Sequence, residues 1–274
     1  MSKIVSTLSP TENILLEISF DGSCFHGWQK QPDKPTIQEL IENTLHKIYG
    51  REINLKGSGR TDAGVSALGF MANFSIPKFP IIPPTNLKKA LNSLLPESIR
   101  IKTINYVDEN FNARNNACGK AYTYIISNSE IVNPAASRWV WKVRNSFNID
   151  KAKKASECFL GEHDFTAFAC DVVKNKKNPL KTIYSINFDQ FGEYTCITFI
   201  GNSFLYKMVR ILTGALVQAG EGKTSIEELT QILELKDRKL AFKTAPSKGL
   251  FLVKVFYKND EIREFRLENL PFAY

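Results

Sequence analysis

Between residues 13 and 50 the chain changes its hydrophobic period, and that change limits the folds open to it more than any other feature. "NILLEISF" at residues 13–20 is a short apolar run with partial alternation, which reads as a strand. Gly-rich "DGSCFHGWQKQP" follows as a turn. In "TIQELIENTLHKIYG" the apolar positions Ile37, Leu40, Ile41, Leu45 and Ile48 fall at helical spacing; Thr36 and Glu39 form a capping box, and Gly50 supplies the stop. A strand followed directly by an amphipathic helix points to a sheet covered by helices.

The same alternation continues. "EINLKGSG" and "ALGFMANFSI" read as strands on either side of a loop, "NLKKALNSLL" as a second helix, and "IRIKTINYV" as a further strand. Beyond residue 120, "AYTYIISN" and "SRWVWKV" read as strands, and Asp150 is expected to cap a helix that ends at Gly161. "LKTIYSINFDQ" and "YTCITFIG" form a hairpin around Phe191, Gly192 and Glu193. Ser203 starts an apolar helix ending at Gly220, Ser225 and Glu228 cap another, and "GLFLVKVFY" closes as a strand. The expected class is α+β: two similar subdomains, residues 1–109 and 110–274, whose antiparallel strands fuse into one large mixed-order sheet flanked by helices.

Composition narrows the function. A chain of 274 residues with 43% hydrophobic residues buries one large core or two ordinary ones. No apolar run reaches the roughly 18–20 residues of a membrane span, and "MSKIVSTLSPTEN" lacks the apolar centre of a signal peptide, so the expected address is the cytoplasm. Five scattered cysteines without a CxxC pair indicate neither a disulfide framework nor a thiolate zinc site. With only three histidines, any catalysis falls to a carboxylate. A net charge of +8 and a pI near 9.1 favour a polyanionic partner.

One carboxylate stands out. "LKGSGRTDAGVSAL", residues 55–68, surrounds Asp62 with Gly57, Gly59 and Gly64 between two strand-like runs. A Walker loop is excluded, because a Lys-Ser/Thr pair and a helix should follow it and do not. Two readings remain on composition alone: a tight hairpin whose Asp62 bonds to nearby amides, or a loop whose glycines let backbone approach a nucleotide.

The string "GRTDAGVSA" resembles the catalytic loop of the tRNA pseudouridine synthase A (TruA) family. Further segments are similar to that family's motifs in the same order: "FDGSCFHGWQKQP", "TIQELIE", "FNAR", "KAYTYII", "GEHDFTAF", "NSFLYKMVRILTGAL" and "GLFL". The resemblance spans roughly residues 13–257. It implies an isomerase that converts uridine to pseudouridine in the anticodon stem-loop of tRNA, works as a homodimer without cofactor or metal, and holds its active-site cleft between the two subdomains.

Residue by residue, the resemblance makes Asp62 the catalytic carboxylate, acting by attack on the sugar, addition to the base, or abstraction of a sugar proton. Arg210 is its expected ionic partner, although its place in an apolar helix is equally that of a surface arginine. Arg60 is expected to help displace the target base. Tyr122 and Leu250 are expected on the two faces of the uracil, with Leu250 also readable as core and with Tyr124 on the same strand face as Tyr122. Lys174, Lys176 and Lys177 form a basic group expected at RNA phosphates, or else a solvated loop. The chain departs from the family pattern at Ser66, Phe70 and Asn112, positions expected to bear on RNA contact rather than on bond chemistry.

Overall fold

The computed structural model describes residues 11–77, 82–172 and 178–273. Lys174, Lys176 and Lys177 lie outside the described residues. Among the described residues, ten strands join one mixed sheet. The strands are β1 (Thr11–Phe20), β2 (Lys56–Gly57), β3 (Ser66–Pro77), β4 (Ile99–Val107), β5 (Gly119–Ser127), β6 (Trp141–Lys142), β7 (Gly161–Asp164), β8 (Leu180–Phe191), β9 (Tyr194–Gly201) and β10 (Leu250–Phe256). Their spatial order is β4-β1-β3-β10-β5-β9-β8-β7, with β2 on β3 and β6 on β5.

The neighbours are antiparallel except at two places: β6 runs parallel to β5, and β10 runs parallel to β3. That second pairing, Phe251 on Ser66 and Leu252 on Ala67, joins the early strands to the late ones. It also sets the end of the Asp62 loop, which runs into Ser66, beside the start of β10.

The helices are α1 (Ile37–Tyr49), α2 (Pro84–Leu94), α3 (Ile149–Ser156), α4 (Met208–Gly220), α5 (Ile226–Leu235) and α6 (Asn259–Glu264). Side chains of α1 to α5 share one core with a single face of the sheet: Ile41, Leu91, Ala152, Leu212 and Leu229 come from the helices, and Leu16, Phe74, Tyr124 and Phe199 from the strands. The opposite face of the late strands has its own cluster, built on Ile125, Cys196, Ile200, Phe251 and Phe256, and residues 262–272 pack over it. Covering on both sides explains why β5 is almost wholly buried rather than alternating. No helix among the described residues is long and apolar enough to cross a membrane.

Several local expectations are corrected. Thr36 is the N-cap of α1, but its hydroxyl is buried without a partner and makes no capping bond. Tertiary contacts replace the capping box, because the first free N–H groups, Ile37 and Gln38, donate to Gly27 O and Trp28 O. Gly50 does end the helix in the left-handed region. Asn148, not Asp150, caps α3 by accepting from Lys151 N, and that helix stops at Ser156 rather than Gly161. Ser225 caps α5 as expected, a bond worth about 1 kcal/mol. "SRWVWKV" is a 3-10 turn, Ser137–Trp139, followed by the two residues of β6, because Asn133 and Pro134 begin a chain of turn hydrogen bonds. "EINLKGSG" narrows to the two residues of β2. The helix expected from Ser203 begins at Met208, since Asn202 Oδ1 takes the N–H groups of Ser203 and Thr182 and holds residues 202–207 as a loop.

Candidate active site

The Asp62 loop is held by backbone bonds from several elements. Ser58 N donates to Met71 O on β3 (2.7 Å), Trp28 N to Thr61 O (3.3 Å), and Gly64 N to Phe25 O (3.3 Å), while Val65 N closes a turn on Asp62 O (3.2 Å). Close packing adds to this. Gly27 has φ +90°, and a Cβ there would lie 2.4 Å from Thr61 O. Gly64 has φ +80° and its missing Cβ makes room for Ser247 Oγ. At Gly57 and Gly59 a Cβ would meet Trp28 and Lys120 Nζ. The loop's glycines therefore admit the protein's own atoms, and Gly59 also lines the cleft that Asp62 lines.

Asp62 meets Arg210 of α4. Arg210 Nη1 donates to Asp62 Oδ2 at 2.5 Å, with the side chains only 14% and 16% exposed. Arg210 Nε donates to Ala245 O (2.8 Å), and Ala245 N returns a bond to Arg210 O (3.2 Å). The guanidinium is thus oriented by backbone on one edge and presents the other to the carboxylate. A surface role for Arg210 is excluded. Residues 243–247 act as the brace: Gly214 of α4 lies so close to Lys243 O that a Cβ would sit 2.5 Å away, and the Tyr124 hydroxyl donates to Pro246 O.

Arg60, Asp62, Tyr122, Arg210 and Leu250 all line one cleft of about 620 Å³. Tyr122 is 9% exposed and packs edge-on against Phe204, centroids 5.3 Å apart at 85°. Burial first, and the Asp62 charge second, push its hydroxyl well above the usual tyrosine range. Tyr124 is fully buried against Trp141 and does not line the cleft, which separates the two tyrosines. Leu250 is both core and cleft wall, at 5% exposure. Arg60 is exposed and has no partner among the described residues.

The rest of the lining is strongly basic. His26, Lys34, Arg114 and Lys207 join Arg60 and Arg210, against Asp62 and Asp171. Phe204, Tyr206 and Lys207 arrive from the 202–207 loop, and the string "NSFLYKM" is the one sequence signal for them. Two of the three departures prove inward-facing. Ser66 is buried and its Oγ accepts from Gly22 N (3.0 Å), and Phe70 is buried and stacked on Trp28 at 4.0 Å. Neither contacts the cleft, so their expected bearing on RNA contact is corrected. Asn112 instead shapes a turn, its Oδ1 accepting from Arg114 N (3.0 Å) and Asn115 N (3.1 Å). Among the described residues no group of three or more His, Cys, Asp or Glu is arranged to hold a metal ion.

Sequence reasoning misses Lys120. It stands two residues before Tyr122 on the same face of β5, and its Nζ donates to Ser58 O at 2.7 Å beneath the Asp62 loop. Burial, aided by Arg114, lowers its pKa from the usual 10.5 to about 8. Below pH 8 the fold must therefore carry a charge its surroundings disfavour. From about pH 8 to 10.5 the folded side chain is neutral while the unfolded one still binds a proton, so stability rises with pH over that window. Wild type should gain up to about 3 kcal/mol relative to Lys120→Met between those limits. Parallel stability–pH curves from denaturant melts of the two proteins would contradict this.

A single arginine-held carboxylate at the foot of a basic, aromatic-walled cleft defines an enzyme site suited to a polyanion. The tRNA pseudouridine synthase family model matches residues 18–115 and 155–258. The chain is 38% identical over 245 residues to tRNA pseudouridine synthase A of Thermoanaerobacter sp. (strain X514), covering 89% of this chain and 99% of that protein. It is 41% identical over 244 residues to the protein of that name from Listeria welshimeri, covering 88% and 97%, and 40% identical over 240 residues to that from Brevibacillus brevis, covering 88% and 97%. The chain belongs to the tRNA pseudouridine synthase family, and it is an isomerase acting on tRNA.

Proposed function

We propose that this chain converts uridine to pseudouridine in the anticodon stem-loop of tRNA, with Asp62 as its catalytic carboxylate. The observation that carries the reading is the Arg210–Asp62 pair opening into a cleft that Arg60, Tyr122 and Leu250 also line. The reaction breaks the N1–C1′ bond, turns the uracil, and forms C5–C1′; the C5 proton is lost and N1 gains one, so composition is unchanged. Breaking the bond leaves the sugar electron-poor and the uracil electron-rich. The Asp62 carboxylate answers the first, and the surrounding cations favour the second.

Each remaining residue has a part. Tyr122 and Leu250 hold the detached uracil between apolar surfaces, which let it turn where a cage of directed hydrogen bonds would fix it. Arg60, exposed at the cleft wall, helps displace the target base by holding the backbone beside it. We also read residues 1–109 and 110–274 as two subdomains from their run of elements, and the working enzyme as a cytoplasmic protein that forms the homodimer the family resemblance implies.

Lys174, Lys176 and Lys177 complete the proposal as groups that neutralise RNA phosphates. Replacing all three by Gln should weaken tRNA binding and flatten the slope of log K against log salt by about 0.7 for each single-strand phosphate that is no longer neutralised. An unchanged slope in a filter-binding titration sinks that assignment. The function itself is tested by incubating the protein with unmodified tRNA transcripts and mapping pseudouridine at single-nucleotide resolution. Product confined to the anticodon arm is expected; product elsewhere, or none, overturns the reading.

A further inference from the structure

Beside the cleft lies a second cavity of about 340 Å³ that shares Gln29, Gly59, Arg60 and Arg114 with it. Four of its lining residues carry carboxamides: Gln29, Gln38, Asn112 and Asn115. Hydrogen bonds fix the polarity of this wall. Gln38 Nε2 donates to the Glu42 carboxylate (2.9 Å) and to Leu55 O (3.2 Å), so its Oε1 is the acceptor, taking Lys30 N (3.2 Å) and Gln29 Nε2 (3.1 Å). Gln29 thereby commits its amide nitrogen to the protein and keeps Oε1 as an acceptor. Asn112 is set the opposite way, since its Oδ1 is engaged by two backbone N–H groups and Nδ2 is left as a donor.

Among the described residues, Gln29 Oε1, Asn112 Nδ2 and the Asn115 carboxamide have no hydrogen-bond partner. The guanidiniums of Arg60 and Arg114, at the boundary of the two cavities, likewise have no ion-pair partner there. Two free cations at the junction suit a phosphate, and an unspent donor beside an unspent acceptor suits the edge of a splayed base. A ligand that fills both cavities across that junction is a continuous chain rather than a single nucleotide.

We infer that the second cavity is a subsite for the nucleotide next to the target uridine, its phosphate held by Arg60 and Arg114 and its base edge read by Gln29, Asn112 and Asn115. This rests on the tRNA reading above and adds a specificity determinant to it. Asn112→Asp keeps an oxygen for the two backbone N–H groups while turning the outward donor into an acceptor. The turn that places Arg114 therefore survives in this variant.

The test uses the full-length protein and anticodon-arm transcripts with the nucleotide 5′ or 3′ of the target uridine either intact or abasic. Single-turnover rate constants at subsaturating protein are compared as ratios, intact over abasic, so that any general loss cancels. Wild type should favour the intact base on one side by about tenfold, the worth of two modest hydrogen bonds. Asn112→Asp and Asn115→Ala should each shrink that ratio. Ratios near one on both sides for wild type, or variants that slow all transcripts equally, overturn the subsite while leaving the pseudouridine reading intact. No pseudouridine from wild type on any transcript overturns the reading beneath it, and with it this subsite.

Discussion

Asp62→Asn binds tRNA and forms no measurable pseudouridine: that is the expected result with the largest effect. The substitution keeps the shape of the side chain and removes its charge. Arg210 retains Ala245 O, so the guanidinium stays oriented while its carboxylate partner is gone. Loss of the group that carries the bond chemistry should cost at least about 10,000-fold in rate, the size seen when an enzyme's nucleophile or base is deleted. Single-turnover assays with excess protein measure it, and a thermal melt beside wild type checks folding. A variant that keeps about a hundredth of the rate or more excludes Asp62 as the essential carboxylate.

The second large effect belongs to Arg210. Arg210→Met should lower kcat by about 100-fold, because a carboxylate without its fixed partner samples geometries that do not reach the sugar. Stability should fall by about 1–3 kcal/mol, since a part-buried carboxylate and Ala245 O both lose a donor. Arg210→Lys should recover only part of the rate, because one ammonium cannot replace a fork that bonds Ala245 O and Asp62 Oδ2 together. The decisive split is between kcat and KM. A raised KM with unchanged kcat would make Arg210 an RNA contact instead of the residue that positions Asp62.

How far the sequence reads correctly depends on the range of the interactions involved. Gly50, Ser225 and the β8–β9 hairpin are local devices, and each sits where the residues place it, except that Phe191 ends β8 and leaves Gly192 and Glu193 alone as the turn. Thr36 looks equally local, yet its capping bond is absent because Gly27 O and Trp28 O come from another segment to satisfy the first turn of α1. Helix α4 starts at Met208 instead of Ser203 for a similar reason, with Asn202 bonded across to β8. Ser66 and Phe70 differ from the family pattern at positions that the fold turns inward, so their variation is absorbed by packing against Gly22 and Trp28.

By itself the sequence determined the class of fold, through its changes of hydrophobic period, and the inventory of chemistry, through one Gly-flanked aspartate, scarce histidines and an excess of cations. The family motifs named Arg60, Asp62, Tyr122, Arg210 and Leu250. Only the tertiary structure decided that these five line one cleft, that Lys120 props the loop from below, and that a second cavity with fixed amide polarity adjoins it. Asp62 and Arg210 are 148 residues apart, and no local pattern encodes their distance. Their meeting follows from the parallel pairing of β3 with β10 and from the brace at residues 243–247, both long-range contacts that form only when the separate apolar faces are buried together.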